Sequence, residues 1–166
     1  MSRTDGDVLA VEEANRALYA AVETADLDAM SALWADGPDA GCAVCVHPGW
    51  PPVVGRVHVL RSWALVMAGA PYIQFFLTDV RTCVVGDVAV LTCAENILTG
   101  VGGSADDRLA GGQVVTTNVF RRTESGWRAM VHHASPVLAP SGDAGEGYDA
   151  GPADGPAADD DEGGRQ

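Results

Sequence analysis

Apolar residues recur at two different periods along this chain, first helical and then strand-like. Over residues 8–25, Val8, Val11, Leu18, Tyr19 and Val22 fall on one helical face among Ala and Glu. That spacing predicts an amphipathic helix with Asp7 as N-cap, preceded by a flexible stretch over residues 1–7. Asp26-Leu27-Asp28 interrupts the pattern and caps a second helix, Leu27 to Trp34, which the Asp-Gly-Pro-Asp segment at 36–39 ends. Cys42 to His47 reads as a first strand. Pro48, Pro51 and Pro52 then hold the chain in an extended corner that carries His47 and Trp50. Gly55 opens a third helix, to about residue 69, with Leu60, Trp63 and Met67 on one face.

From Tyr72 the period changes to two. Tyr72–Val85 and Val88–Thr99 flank Gly86-Asp87, a two-residue hairpin signal that pairs Val85 with Val88, Cys83 with Val90 and Thr78 with Glu95. A Gly-rich loop is expected over Thr99–Gly112. Gln113–Arg122 and Trp127–Leu138 form a second hairpin across Glu124-Ser125-Gly126. A three-residue turn there puts Thr123 opposite Trp127. Thr117, Val119, Trp127, Ala129, Val131 and His133 then share one face, and Asn118, Phe120, Met130 and His132 the other. A two-residue turn slips that register by one. Helices followed by consecutive hairpins predict an α+β fold, with a curved, mostly antiparallel sheet wrapped around N-terminal helices.

Composition changes the picture at the C-terminus. Of the net charge of −13 over 166 residues, residues 139–166 contribute −7, from eight acids and one arginine. This Gly-, Pro- and Asp-rich tail buries too little apolar surface to offset the entropy of ordering, so it is expected to be disordered. The domain is then residues 8–138. All ten basic residues are Arg and none forms a stripe, which argues against nucleic-acid binding. No run approaches the roughly 18 apolar residues of a membrane span, and the N-terminus has no signal-like core, so the expected location is cytoplasmic. Cys42 and Cys45 have C-x-x-C spacing, but residues three apart on a strand face opposite ways, so one ion does not reach both. Neither a metal set nor a cofactor is expected, and the four cysteines read as core thiols.

The element order and three local patterns resemble the SnoaL-like, or nuclear transport factor 2-like, superfamily. The patterns are Asp26–Trp34 after the first helix, Gly55-Arg56 through Ser62-Trp63, and the closing hairpin from Thr117 to Ser135. The resemblance covers about residues 8–138 and implies a ketosteroid isomerase-like cone, an α+β barrel with a pocket at its open end. It also implies that the outer sheet face packs on a second subunit, giving a homodimer through residues such as Phe120 and Met130. The superfamily hosts enzymes, ligand binders and association domains, so the fold does not choose among them.

His47, His133 and Glu95 are the candidate acid–base set, because histidine transfers protons near neutral pH and a carboxyl on an apolar strand needs a partner. Tyr19, Trp50, Arg56, Trp63, Thr117 and Trp127 are the candidate pocket lining. The expected ligand is a small apolar organic molecule. Isomerase, cyclase or dehydratase-like chemistry is one expectation; a non-catalytic dimerisation or ligand-sensing module with a degenerate pocket is the other. The family's catalytic Asp residues have no counterpart here. The two-His part of the dehydratase pattern does.

Overall fold

A computed structural model describes residues 3–101 and 108–137. Three helices, α1 (Arg3–Glu23), α2 (Leu27–Leu33) and α3 (Arg56–Gly69), pack on a sheet of six strands. The strands are β1 (Val44–Val46), β2 (Val53–Val54), β3 (Ile73–Val85), β4 (Val88–Val101), β5 (Arg108–Thr123) and β6 (Gly126–Pro136). Their order is β2-β1-β6-β5-β4-β3, antiparallel except where β1 runs parallel to β6. Helix α1 crosses the inner face and touches β3, β4 and β6. This is the expected α+β cone.

The core lies between helices and sheet. It joins Val11, Leu18 and Val22 of α1, Met30 and Trp34 at α2, and Val59, Trp63 and Met67 of α3 to Leu91, Phe120 and Trp127 of the strands. Each such side chain contributes about 1.5–3 kcal/mol on burial. Asp26 caps α2, its carboxylate accepting from Ala29 N at 2.8 Å. Gly55 precedes α3 at φ 88°, a left-handed conformation that glycine adopts without strain.

Several expectations are corrected. Helix α1 begins at Arg3, so Asp7 is an interior residue, not an N-cap. It pairs with Arg122 at 2.6 Å, which ties the first turns of α1 to β5. Cys42 ends a 3-10 turn, Gly37–Cys42, and β1 starts at Val44. Much of the expected Gly-rich loop is strand, because β4 continues to Val101 and β5 starts at Arg108. The tail and residues 102–107 lie outside the described residues.

Two bulges set the registers. In the first hairpin, Val85 pairs with Val88 and Cys83 with Val90 as expected, but an extra residue near Asp79 moves Glu95 opposite Leu77 rather than Thr78. Asp79 takes φ 53° there. In the second hairpin the turn is two residues, pairing Thr123 with Gly126 and Arg122 with Trp127. Met130 is then the extra residue of a bulge, beyond which Asn118 pairs with His132 and Thr117 with His133. Because the bulge re-phases β6, Trp127, Ala129, His132 and Ala134 all face inward. Asn118 and Phe120 also face the core, not the outer face expected of them.

Candidate functional site

Polar side chains meet inside the cone where α1, α3 and the inner faces of β1, β4, β5 and β6 converge. Each reaches it by ordinary periodicity. Asn15 follows Val11 by four and precedes Tyr19 by four on the buried face of α1. Glu95 follows Leu91 and Cys93 on the inner side of β4. Thr116 and Asn118 alternate with Val114 and Phe120 on β5. Cys45 and His47 stand two apart at β1, so both point inward, and the parallel register sets Cys45 beside His132.

These groups form two hydrogen-bonded sets that meet at a ring contact between His47 and His132, centroids 6.2 Å apart. Tyr19 OH donates to Glu95 Oε1 at 2.6 Å, and Thr116 Oγ1 donates to the same oxygen. Asn118 Nδ2 donates to Asn15 Oδ1 at 2.7 Å and, at 3.4 Å, to Tyr19 OH. The Asn118 oxygen can only accept, so His132 Nδ1, 2.9 Å away, carries the proton. That leaves His132 Nε2 with a free lone pair. On the other side His47 Nε2 lies 2.9 Å from Ser62 Oγ, which itself donates to Val59 O at 2.7 Å. The His47 Nε2–H is therefore the donor, and Nδ1 holds its lone pair. Trp63 packs edge-on against both imidazoles, with centroids 4.6 Å from His47 and 5.1 Å from His132.

Burial decides the charge states. Loss of hydration pushes His47 down to about 4 and His132 to about 3, where the neighbouring His47 and His133 add to the effect. Both are neutral imidazoles near pH 7. The same desolvation raises Glu95, which no cation offsets, although the Thr116 and Tyr19 hydrogen bonds pull the other way. It raises Tyr19, Cys45 (to about 12) and Cys93 (to about 11) as well. A carboxyl whose pKa burial raises and a neutral imidazole with a free nitrogen are groups able to exchange a proton.

The predicted residues divide. Glu95 and Tyr19 are buried and bonded to each other in one set, and His47 is buried in the other with Trp63 against its ring. Trp50 is 42% exposed, with its ring 5.1 Å from that of His47. His133 is the main correction: it faces outward, because the Met130 bulge turns its neighbour His132 inward. Thr117 is likewise on the outer face of β5. Trp127 is buried in the core under the Arg122 guanidinium, 4.4 Å from the ring centroid. Arg56 binds the end of α2 instead, donating to Ser31 O at 2.6 Å and Trp34 O at 2.7 Å. It also borders an outer groove of about 540 Å³ with Asp36, Asp39 and Arg128. Tyr19 reaches a second concavity, about 430 Å³, between α1 and Phe75–Leu77. Sequence reasoning missed Asn15, Ser62, Asn118 and His132. Their signal was a polar residue repeating at the apolar period; for His132 and Asn118 the bulge hid it.

Residues 11–140 match the family model of the SnoaL-like domain. The chain is 53% identical to a proposed dehydratase of the NTF2-like family from Streptomyces avermitilis, over 81% of this chain and 99% of that one, with a TM-score of 0.77. It is 31% identical to a proposed calcium/calmodulin-dependent protein kinase type II association domain from Thiobacillus denitrificans, over 76% and 94% of the two chains, TM-score 0.62. It is also 25% identical to the F-box protein SKIP8 of Arabidopsis thaliana over 129 residues, 78% of this chain, and spans about half of that protein's length.

Proposed function

We propose, since this chain belongs to the SnoaL-like domain family, that its cone binds a small, mostly apolar organic molecule and moves a proton on it. The observation that carries the reading is the buried chain from Glu95 through Tyr19 and Asn118 to His132. Burying that many polar groups is costly, and a packed core does not need them. His132 Nε2 is the base and the Glu95–Tyr19 pair supplies the acid, with His47 and Trp50 at the entrance. Removal of a proton at one carbon and protonation of a leaving hydroxyl is a dehydration; without a leaving group the same transfer is an isomerisation. The similarity to a proposed dehydratase favours the first.

The test is a fluorescence titration of the four-tryptophan chain with 2-naphthol, a flat apolar probe with one hydroxyl. Saturable quenching is expected, weakened about tenfold in His132→Gln, whose amide keeps a donor for Asn118. A linear response, identical in the variant, would overturn the pocket.

A second reading concerns the outer sheet face. Val90, Val115 and Phe76 are 40%, 51% and 53% exposed there. We infer that a second copy of the chain covers them, with Val119 and Val131 between. Phe120 and Met130 are not the contacts: Phe120 is core and Met130 is the bulge. The likeness to an association domain fits this reading.

A further inference from the structure

Cys45, His47 and His132 bring one thiol and two imidazoles into the interior, with ligand atoms all within 4.8 Å of one another. We propose that these three residues form a binding site for a single zinc ion, Zn2+, with its fourth position open. The exposures of 0%, 4% and 3% show that none of the three is a surface group. Their convergence is built into the sheet: Cys45 lies opposite His132 across the parallel pairing, and His47, just past the end of β1, is buried on the same side.

The geometry and the donor set both suit the ion. Cys45 Sγ lies 3.4 Å from His47 Nε2 and 3.9 Å from Nδ1. Zinc bonds of about 2.3 Å to sulfur and 2.0–2.1 Å to nitrogen place tetrahedral donors roughly 3.3–3.6 Å apart, so the free His47 Nδ1, at 3.9 Å from the sulfur, and the other donors, within 4.8 Å of one another, must draw together on the ion by side-chain rotation. The partners behind the donors matter more. Ser62 takes the His47 Nε2–H and leaves Nδ1 free; Asn118 takes the His132 Nδ1–H and leaves Nε2 free. Each imidazole thus has one nitrogen anchored by an outer acceptor and the other available, the usual arrangement of histidine ligands. Cys45 ligates as the thiolate: its thiol proton leaves to solvent as the sulfur–zinc bond forms. Trp63, whose buried Nε1–H has no partner among the described residues, packs edge-on against both rings.

Cys42 takes no part. It is exposed at the end of its 3-10 turn, while Cys45 points inward. The informative spacing is therefore Cys45-x-His47, two apart at the end of β1, rather than the C-x-x-C it overlaps. The ion would occupy the same His132 Nε2 lone pair that the acid–base reading uses as base, so the two readings exclude each other at that atom; ion binding, measured without substrate, tests the site by itself.

The test uses the full chain with Cys42→Ser and Cys83→Ser, which removes both exposed thiols. Anaerobic titration with Co2+ should show one equivalent bound, an intense tetrahedral d–d absorption and a thiolate-to-cobalt charge-transfer band. Zn2+ should bleach both. Adding Cys45→Ser should abolish the charge-transfer band, and His132→Gln should weaken binding by 10- to 100-fold, with unchanged far-ultraviolet circular dichroism. Should Cys45→Ser not fold, the His132→Gln titration and the band of the parent decide alone. No charge-transfer band at one equivalent, or a band that survives Cys45→Ser, would overturn the site. Weak octahedral cobalt colour without that band would mean carboxylate binding, as in the acidic tail, and would overturn it equally.

Discussion

The hydroxyl of Tyr19 on α1 and the carboxyl of Glu95 on β4, 76 residues apart in sequence, share a 2.6 Å hydrogen bond in the core. The bond fixes the rotation of α1 against the sheet, and it places an uncompensated carboxyl among apolar side chains and neutral acids. Thr116 is its other donor, and Cys93 is the further titratable group on that side.

That placement has a pH signature. Desolvation holds Glu95 above the 4.5 of an ordinary glutamate. Below about pH 4.5 it is protonated in both folded and unfolded chains, and its contribution is fully present. As pH rises, the unfolded chain ionises first, so this contribution is lost through the folded group's titration. Glu95→Gln keeps the acceptor oxygen and removes the titration. The difference in melting temperature, wild type minus Glu95→Gln, should fall steadily from pH 4.5 to 8. A flat difference would show that Glu95 ionises in the fold as it does in solution.

Arg56 acts on stability, not on the site. It satisfies the carbonyls that α2 leaves unpaired at its C-terminal end, at Ser31, Trp34 and Ala35. Arg56→Gln should cost about 1.5–3 kcal/mol in urea unfolding, the worth of charged hydrogen bonds, and should leave 2-naphthol binding unchanged. Weaker binding at unaltered stability would return Arg56 to the pocket.

Trp50 should show the opposite pattern. At 42% exposure its truncation leaves no large cavity. Trp50→Ala should cost less than about 1 kcal/mol, against roughly 3–5 for a buried tryptophan, while changing the affinity or on-rate of 2-naphthol. A large loss of stability with unchanged binding would make Trp50 a plug of the cone.

The outer face should associate. Light scattering at micromolar concentration should give twice the 17.1 kDa chain mass. Val90→Asp with Val115→Asp, opposite Val119 and Ala94 respectively on the exposed face of β4 and β5, should halve it without unfolding the chain. A monomeric wild-type chain ends this proposal.

Removal of residues 139–166 should leave the melting temperature within a few degrees, because their composition offers little apolar surface to dock. A larger drop would mean that the acidic tail packs on the domain.

The sequence by itself determined the elements and the fold class. Helical and strand periods state where apolar residues must face one side, and Gly86-Asp87 fixes a hairpin locally. Asp26 and Gly55 mark helix starts through their own backbone and side-chain chemistry. His47, Glu95 and Tyr19 were legible as buried polar groups because each is polar at an apolar position. What only the tertiary structure decided was which face the closing hairpin turns inward. One extra residue at Met130 reverses the phase of β6, so His132 rather than His133 enters the cone and takes Asn118 with it. The free energy of a bulge depends on how the two strands and the helices above them pack, and no local pattern records that. The same holds for Cys45 and His132: they are 87 positions apart, and only the parallel pairing of β1 with β6 makes them neighbours.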